Sequence, residues 1–335
     1  MDREEYLVRP FTDLDYEAVS RIGRKVTPEF PFSPEEERQW VARFMTSDRI
    51  NERWIVEERS TSTVVAWGSM SHAPHAFEPR KFWSAVEVDP AHRGRGIGRT
   101  LAALIESEAG SHGAVCLWTN VRTDDPRSFD FAQRHGFREL RRVWMSTLDL
   151  TQERPEPGAE RGKALERDGM RFTTLSEEGP AREETRRKLL ELLNETSRDV
   201  PRVGKFAPMT YEQFVKEFES PSFLPEACFL AAVGDEYVAI SSLERSLAEP
   251  DSLRVDFTGT RSAYRGRGVA SELKRRALEY ARARGVRSLR TVNDSLNRPM
   301  WAINAKQGFV RTFEWSAQER RFPPAPTTGE SGEKG

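Results

Sequence analysis

The sequence predicts an α/β protein in which two similar domains follow one another along the chain. Its 335 residues exceed what one ordinary hydrophobic core accommodates and suit two domains of common size. Strand-like runs alternate with helical patterns in both halves. An arginine-glycine loop also occurs at Arg93 and again at Arg265, 172 residues later, and the same offset separates Gly136 from Gly308. A constant offset over this length indicates a duplicated unit.

The first half carries specific start and turn signals. Ser33 precedes Pro34 and two glutamates, which is the pattern of an N-cap followed by proline at the first helical position. A polar run at 58–62 lies between two apolar segments and predicts a hairpin. We predict strands at 6–10, 53–57, 63–71, 82–88, 114–119 and 138–148, and helices at 13–24, from 34, at 99–109 and at 128–135.

The second half repeats this order. Thr210 and Gln213 have the spacing of a capping box, and residues 234–236 form the turn of a hairpin. We predict strands at 171–175, 229–233, 237–243, 253–260 and 288–292, and helices at 181–196, 210–218, 271–284 and 300–306.

Composition sets the domain boundaries. The N-terminal domain spans 1–150 and the C-terminal domain spans 169–321. Between them, residues 151–168 contain prolines and many charges, which is typical of a linker, with one helical turn near 164–167. The tail at 322–335 is rich in Pro, Gly, Thr and Glu and has nothing to bury, so we expect disorder there.

Charge and composition exclude several classes of protein. The formal net charge is −1, so no global basic field attracts nucleic acid or an anionic membrane. There is no apolar leader and no long uncharged apolar stretch, and we expect a cytoplasmic monomer or homodimer. Cys116 and Cys228 lie in apolar runs and are expected to be buried thiols. His72 and His75 lack further ligands, so no metal site is expected.

The duplicated loop has the composition of an anion site. A glycine-rich turn before a helix presents backbone N–H groups that have no intrahelical partner, and the helix dipole adds positive charge. The spacing is not that of the dinucleotide-binding fingerprint, which needs G-x-G-x-x-G within a strand-helix-strand unit. It is not a P-loop either, since no Gly-Lys-Ser or Gly-Lys-Thr comes after it.

Residues 88–98, VDPAHRGRGIG, resemble the acyl-CoA motif of the GNAT superfamily of N-acyltransferases. Residues 260–270 keep the core of that motif, with Ser262 where proline is usual, and 297–309 resemble the later family pattern that ends in Gly-Phe. The resemblance covers about 5–150 and 169–315 and identifies a tandem GNAT protein, with a two-domain plan similar to that of mycothiol synthase. It implies that each domain has a mixed central sheet flanked by helices.

The resemblance also implies an acetyl-CoA cofactor and the residues that hold it. Loop amides would bind the CoA pyrophosphate, and the diverging fourth and fifth strands would admit the pantetheine arm. The implied cofactor-binding residues are Val88, Arg93, Gly94, Arg95, Gly96, Ile97 and Gly98 in the first half, and Thr258, Thr260, Arg265, Gly266, Arg267, Gly268, Val269, Ala270 and Asn297 in the second.

We expect the chemistry in the second half. Asp256 occupies the fourth-strand position where many family members have an acid, and alternation would place it on one face with Thr258 and Thr260, as a general base. An acid that is merely solvated or ion-paired is the open alternative. Asn304 stands where the family usually has a tyrosine acid, and its amide could donate to the thioester or be an ordinary helix residue. Asn297 could contact the cofactor or cap a helix. Trp301 is the candidate for substrate binding.

The first half lacks these groups. Ser84, Asp125 and Ala132 stand at the positions of the acid, the asparagine and the tyrosine, and Glu87 is expected to be structural. We therefore expect this domain to be structural or to bind CoA without turnover. The predicted function is acetyl-CoA-dependent N-acetylation of a small amine, such as an aminoglycoside, an amino acid or a polyamine. A CoA-binding module without turnover and a protein or peptide N-acetyltransferase are the alternatives.

Overall fold

The structure is a computed structural model that describes residues 1–46, 48–73, 76–152 and 160–323. His75, residues 153–159 of the predicted linker and the predicted tail beyond 323 lie outside this range. The strands are β1 (Tyr6–Pro10), β2 (Asn51–Glu58), β3 (Thr63–Ser71), β4 (Lys81–Val88), β5 (Cys116–Arg122), β6 (Arg138–Asp149), β7 (Met170–Thr174), β8 (Phe223–Val233), β9 (Glu236–Arg245), β10 (Ser252–Thr260), β11 (Ser288–Asp294) and β12 (Val310–Arg321). The helices are α1 (Tyr16–Val26), α2 (Pro34–Phe44), α3 (Ile97–Ser111), α4 (Pro126–Arg134), α5 (Glu160–Arg167), α6 (Leu175–Glu178), α7 (Glu183–Ser197), α8 (Tyr211–Val215), α9 (Val269–Ala283) and α10 (Arg298–Lys306).

The strands form one mixed sheet in the order β1-β2-β3-β4-β5-β12-β6-β11-β10-β9-β8-β7. β4 pairs with β5 in parallel, β10 pairs with β11 in parallel, and the other neighbours are antiparallel. Helices flank this sheet, so the predicted fold class is confirmed. The two central sheets expected from the repeat are joined edge to edge into a single sheet of twelve strands.

The two halves exchange their last strands. β12, from the end of the second half, lies beside β5 of the first half, with Trp315 opposite Arg122. β6, from the first half, lies beside β11 of the second half, with Trp144 opposite Asn293. β6 and β12 also pair with each other at the centre of the sheet. The segment at 138–148 is a strand as predicted, but its partners belong to the second half, and β12 is a strand that we did not predict.

Each half packs its helices on opposite faces of the sheet. In the first half, Ile97 and Leu101 of α3 pack in a core with Phe82, whereas Ile22 of α1 packs with Ile55 in a separate cluster. In the second half, α9 packs in a core to which the exchanged strand β6 contributes Leu148. The strand exchange is therefore a matter of side-chain packing as well as of backbone pairing.

The predicted helix caps are present, and one of them also connects the halves. The Ser33 hydroxyl accepts a hydrogen bond from the Glu36 amide at 3.1 Å, and the Glu36 carboxylate accepts one from the Ser33 amide at 2.7 Å. Thr210 and Gln213 form the second predicted capping box. The Glu36 carboxylate also accepts a hydrogen bond from the Leu247 amide at 3.1 Å and pairs with Arg254. α2 of the first half thus packs against the sheet of the second.

Leu148→Ala should destabilise the whole chain because Leu148 is 1% exposed and lies in the core of the other half. We expect a loss of about 2–5 kcal/mol in the free energy of unfolding. Urea unfolding followed by tryptophan fluorescence measures it. Leu140→Ala is the control, since Leu140 on the same strand is 45% exposed and should change stability little. A loss confined to the first half would contradict the exchange.

Candidate active site

Each glycine-rich loop leads directly into the first turn of a helix. Gly94 and Gly96 have φ angles of 84° and 80°, and α3 begins at the next residue, Ile97. In the second half Gly268 has a φ angle of 88°, and α9 begins at Val269. Glycine is favoured at such φ values because it has no Cβ atom. The first amides of each helix lack intrahelical acceptors, which is the arrangement that binds phosphate groups.

The strands beside the first loop separate and open a large cavity. β4 and β5 pair only from Lys81 and Cys116 as far as Trp83 and Trp118, although β4 continues to Val88. The cavity at this fork has a volume of about 1130 Å³. It is lined by both strands, the loop, α3 and α4. Among the predicted cofactor-binding residues, its wall includes Val88, Arg93, Gly94, Gly96, Ile97 and Gly98.

Several arginines line this cavity. Arg99, Arg127 and Arg134 line it and form no ion pair within the described part of the chain. Arg93 also lines it, and its guanidinium lies 3.4 Å from the Asp125 carboxylate. Unpaired arginines beside free helix amides suit a ligand with several phosphate groups. Arg95, also predicted as a cofactor residue, instead contacts Glu5 and Tyr6, each at 2.8 Å.

Glu87 is the carboxylate of the cavity wall on the α1 side. Its neighbours on β4, Val86 and Val88, pack against the core of α3, so alternation turns Glu87 to the opposite face. There its Oε2 accepts a hydrogen bond from Trp67 Nε1 at 3.1 Å. A Cβ atom on Gly23 of α1 would lie 3.8 Å from the same oxygen, so helix and carboxylate are in close contact.

Burial raises the pKa of Glu87 to about 7, although the hydrogen bond from Trp67 acts in the opposite direction. A smaller contribution in the raising direction comes from the charge of Glu37. A carboxyl group with a pKa near neutrality on a cavity wall can accept a proton at physiological pH. The sequence prediction of a structural role for Glu87 depends on its strand face alone. That prediction did not take into account that Glu87 lies beside the fork of the strands, on the face of the sheet where α1 packs.

The second half completes the wall on the Glu87 side. Trp315 of the exchanged strand β12 lines the cavity, opposite Arg122 of β5. Its ring packs edge to face against Phe30, which comes after α1 in the chain, with centroids 6.2 Å apart, and against Phe313 at 4.3 Å. Without the strand exchange this wall of the cavity would be open.

In the second half, β10 contains a β-bulge at Asp256. Val255 pairs with Leu243 and Phe257 pairs with Ser242 on β9, so Asp256 is an extra residue without a partner on that strand. The Asp256 carboxylate accepts a hydrogen bond from the Ser242 hydroxyl at 2.8 Å. The bulge interrupts the regular alternation expected for this strand.

Because of this bulge, the prediction that Asp256 shares a strand face with Thr258 and Thr260 is wrong. The Thr258 hydroxyl lies 3.2 Å from that of Ser241, whereas Asp256 contacts Ser242. Consecutive residues on β9 point to opposite faces of the sheet. Asp256 therefore does not share a face with Thr258 and, two residues on, Thr260. Its role as a general base stays a prediction.

The counterpart of Glu87 in the second half is a glycine. Glu87 lies six residues before the first loop arginine, and Gly259 lies six residues before the second. A Cβ atom at Gly259 would come within 2.6 Å of the Thr196 hydroxyl, so α7 packs directly on the strand at this point. Ser84 pairs with Met70 in a regular ladder, so it is not the structural counterpart of the bulged Asp256.

The second half has a buried lysine at the position where the first half has a small residue of the cavity wall. Ala102 of α3 lines the first cavity, and Lys274 occupies the corresponding position of α9, 172 residues later. Lys274 is 3% exposed, and within the described residues it has no hydrogen bond or ion pair. Its ammonium lies 5.7 Å from the centre of the Phe309 ring. Burial lowers the pKa of Lys274 to about 8.

Asn304 is also buried where the first half has a small residue. Ala132 lines the first cavity, and Asn304 is its counterpart, with no exposed surface. The Asn304 amide donates to Asn293 Oδ1 at 2.9 Å, and its own Oδ1 has no partner among the described residues. The amide that was expected to donate to the thioester thus already has an acceptor, and its catalytic role stays a prediction.

Asn297 and Trp301, two further predicted residues of the second half, belong to α10 and its N-cap. Asn297 caps α10 by accepting a hydrogen bond from the Met300 amide at 3.4 Å, which is the alternative left open for it. Trp301 packs edge to face on Trp144, with centroids 5.8 Å apart, and the Arg311 guanidinium lies over its ring. Substrate binding by Trp301 stays a prediction.

The second loop is closely approached by other parts of the chain. Arg265 forms an ion pair with Asp199 at 2.6 Å. Arg161 of α5 donates to the carbonyl of Arg267 at 3.2 Å, and its side chain lies where a Cβ atom on Gly268 would be. The backbone of this loop has glycines in the same left-handed conformation as the first loop. Binding of pyrophosphate by Gly266, Val269 and Ala270 stays a prediction.

Within the residues that the structure describes, no group of three or more His, Cys, Asp or Glu side chains is arranged to hold a metal ion. No helix in that part of the chain has both the length and the apolar character needed to span a membrane.

Comparison with protein families gives one match in each half. The model of the acetyltransferase (GNAT) family matches residues 19–137 and 189–309. Both ranges contain a glycine-rich loop and the fork of strands beside it. No curated protein matches the sequence.

Solved structures with the same fold span almost the whole chain. A GCN5-related N-acetyltransferase from Sphaerobacter thermophilus is 19% identical, with a TM-score of 0.69 and 96% of each chain covered. A tandem GNAT protein from the clavulanic acid biosynthesis pathway is 20% identical, with a TM-score of 0.71, 96% of this chain and 100% of that chain covered. At such identity the likeness shows the fold alone.

Ala102→Lys should weaken acetyl-CoA binding in the first cavity, because it places a long side chain and a buried ammonium on a wall where the natural residue is small. We expect the affinity to fall about tenfold or more, which corresponds to about 1.4 kcal/mol. Isothermal titration calorimetry with acetyl-CoA measures this, after circular dichroism has shown that the variant folds. Lys274→Ala is the matched control and should leave the affinity of the first cavity unchanged. The opposite result would place the cofactor in the second half.

Proposed function

Because the chain belongs to the GNAT family in both halves and is an N-acetyltransferase, we propose that it transfers the acetyl group of acetyl-CoA to a small primary amine in the cavity of the first half. The observation that carries the proposal is Glu87. Its carboxyl group has a pKa raised to about 7 and borders a cavity that begins at a glycine-rich anion site. Donor site and base thus lie in one cavity.

Acetyl-CoA would enter this cavity from the loop end. The amides of Gly94, Gly96 and Ile97 would bind the pyrophosphate, and the unpaired lining arginines would compensate the remaining phosphate charge. Beyond Trp83, the edge of β4 that faces β5 has no strand partner among the described residues. The amide-containing pantetheine arm can therefore pair with this edge as a short strand would. Such pairing would bring the thioester to the Glu87 side of the fork.

The transfer is a direct attack within a ternary complex. Glu87 takes a proton from the ammonium group of the acceptor, and the free amine attacks the thioester carbonyl. The C–N bond forms and the C–S bond breaks. The second proton of the attacking nitrogen passes through water to the departing CoA thiolate, and Glu87 returns its proton to solvent. Ala132 stands where the family usually has a tyrosine, so this half has no side chain acid at that position. A thiolate is a good leaving group, so transfer proceeds without one.

The second half is the alternative site of transfer, as the sequence predicts. In the second half, Asp256 lies in a β-bulge and accepts a hydrogen bond from the Ser242 hydroxyl. Gly259, however, occupies the position of Glu87. Lys274 and Asn304 bury polar groups where the first cavity has alanines. These three differences favour the first half. A chain that binds CoA without turnover would show neither activity.

Glu87→Gln should lower kcat by about a hundredfold to ten-thousandfold, because the amide cannot accept a proton from the amine. Release of free thiol from acetyl-CoA, measured with a panel of amines, reports the rate. Asp256→Asn is the control and should retain at least half of the activity. If Asp256→Asn loses the activity and Glu87→Gln keeps it, transfer takes place in the second half.

The pH profile gives an independent test of Glu87. Its carboxylate is the active form, so kcat/KM should fall about tenfold per pH unit below a pH near 7 and become level above it. Glu87→Gln should remove this acid limb from its residual rate. A wild-type profile that is flat from pH 5.5 to 8 would exclude Glu87 as the base.

A further inference from the structure

The cavity wall around Glu87 is mostly apolar. Trp83 and Ala85 share its face of β4, because strand side chains alternate. Val26 at the end of α1 and Trp315 of β12 line the same cavity. The uncharged polar side chains of Thr27 and Asn120 also reach it. The part of the cavity next to the base is therefore suited to a body with little charge.

Among the described residues, Arg122 is the one guanidinium on this wall that does not come from the loop, α3 or α4, and all its N–H groups are used. Nη1 donates to the Val26 carbonyl at 3.0 Å and to Glu29 at 2.8 Å. Nη2 donates to Glu29 at 3.2 Å and to Asp124 at 2.7 Å, and Nε donates to Asp124 at 2.9 Å. Two carboxylates therefore neutralise Arg122, and it has no donor left for a ligand.

A carboxylate on the acceptor would consequently be unpaired in this part of the cavity. It would lie near Glu87 and would lose its hydration without gaining a cation, because Arg93, whose charge also acts on Glu87, already lies 3.4 Å from the Asp125 carboxylate. An isolated buried charge of this kind is strongly disfavoured and acts as a selection against acidic ligands. Amino acids with a carboxylate next to the amine should therefore be poor acceptors.

Trp315 is positioned to contact the body of the acceptor. Phe30 and Phe313 pack against its ring from two sides, and Arg122 stacks 4.2 Å from the centre of the Phe313 ring. The indole is thus held in place by Phe30 of the first half and by Phe313 of its own strand. A fixed indole on a cavity wall binds apolar and aromatic groups through large contact area at small entropic cost.

From this wall we infer that the acceptor is a primary amine on an apolar or aromatic body that carries no carboxylate, and that Trp315 determines this specificity. The inference rests on the proposed function in the first cavity. The second half would then contribute to the reaction, because its last strand, β12, supplies the side chain that selects the acceptor.

A matched pair of acceptors tests the inference. Phenylethylamine and phenylalanine have the same aromatic body and amine and differ by one carboxylate. With the full-length wild-type chain, we expect kcat/KM for phenylethylamine to exceed that for phenylalanine at least about tenfold. Trp315→Ala should raise KM for phenylethylamine about tenfold and leave KM for acetyl-CoA unchanged, whereas Trp315→Phe should keep most of the affinity.

The outcomes separate this inference from the proposed function. Equal or better use of phenylalanine, or an unchanged KM in Trp315→Ala, would overturn the acceptor assignment while transfer itself continues and still depends on Glu87. Absence of transfer from the wild type with every amine would overturn both. A rise in KM for acetyl-CoA in Trp315→Phe as well as in Trp315→Ala would show that the indole supports the fold or the donor, which also overturns the assignment.

Discussion

The antiparallel pairing of β6 with β12 at the centre of the sheet is the contact on which the rest of the structure depends. It runs from Val310 opposite Thr147 to Glu319 opposite Arg138, and it joins the two halves into one sheet. Because each of these strands also pairs with the other half, neither half has a complete sheet of its own. The same exchange places Leu148 in the core of the second half and Trp315 in the wall of the cavity of the first half. If the proposed site is correct, one pair of strands therefore couples folding to acceptor recognition.

Within this shared scaffold the two halves have different interiors. The loops, the fork of strands and the helix after each loop occur at the same offset in both, and their glycines have the same left-handed conformation. The side chains behind the loops differ: the first half has Glu87 and Ala102, and the second half has Gly259 and Lys274 at those positions. A carboxyl group with a raised pKa and an open cavity occur together in the first half. In the proposed function, one half of the duplicated scaffold thus provides the reaction site and the other half completes its wall.

Much of the fold could be predicted from local patterns. The repeat, the loops and the capping boxes at Ser33 and Thr210 depend on short-range rules, and the structure has all of them. The strand exchange could not be predicted, because a strand at the end of a repeat pairs equally well with its own half or with the other. The face of Asp256 was predicted wrongly, because the extra residue of a β-bulge reverses the faces of the later residues in the strand. A structural role was predicted for Glu87 from its strand face alone. Its raised pKa depends on burial, which becomes visible only when α1 is in place.

The most direct measurement of the central claim, that the first half holds the acetyl group for transfer, is a crystal structure of the chain with bound acetyl-CoA. We expect density for the thioester at the fork of β4 and β5, with the acetyl group on the side of Glu87 and Trp315 and the pyrophosphate at the loop of Gly94 and Gly96. An acetyl group found only between β10 and β11, beside Asp256, with the first cavity empty of cofactor, would contradict it.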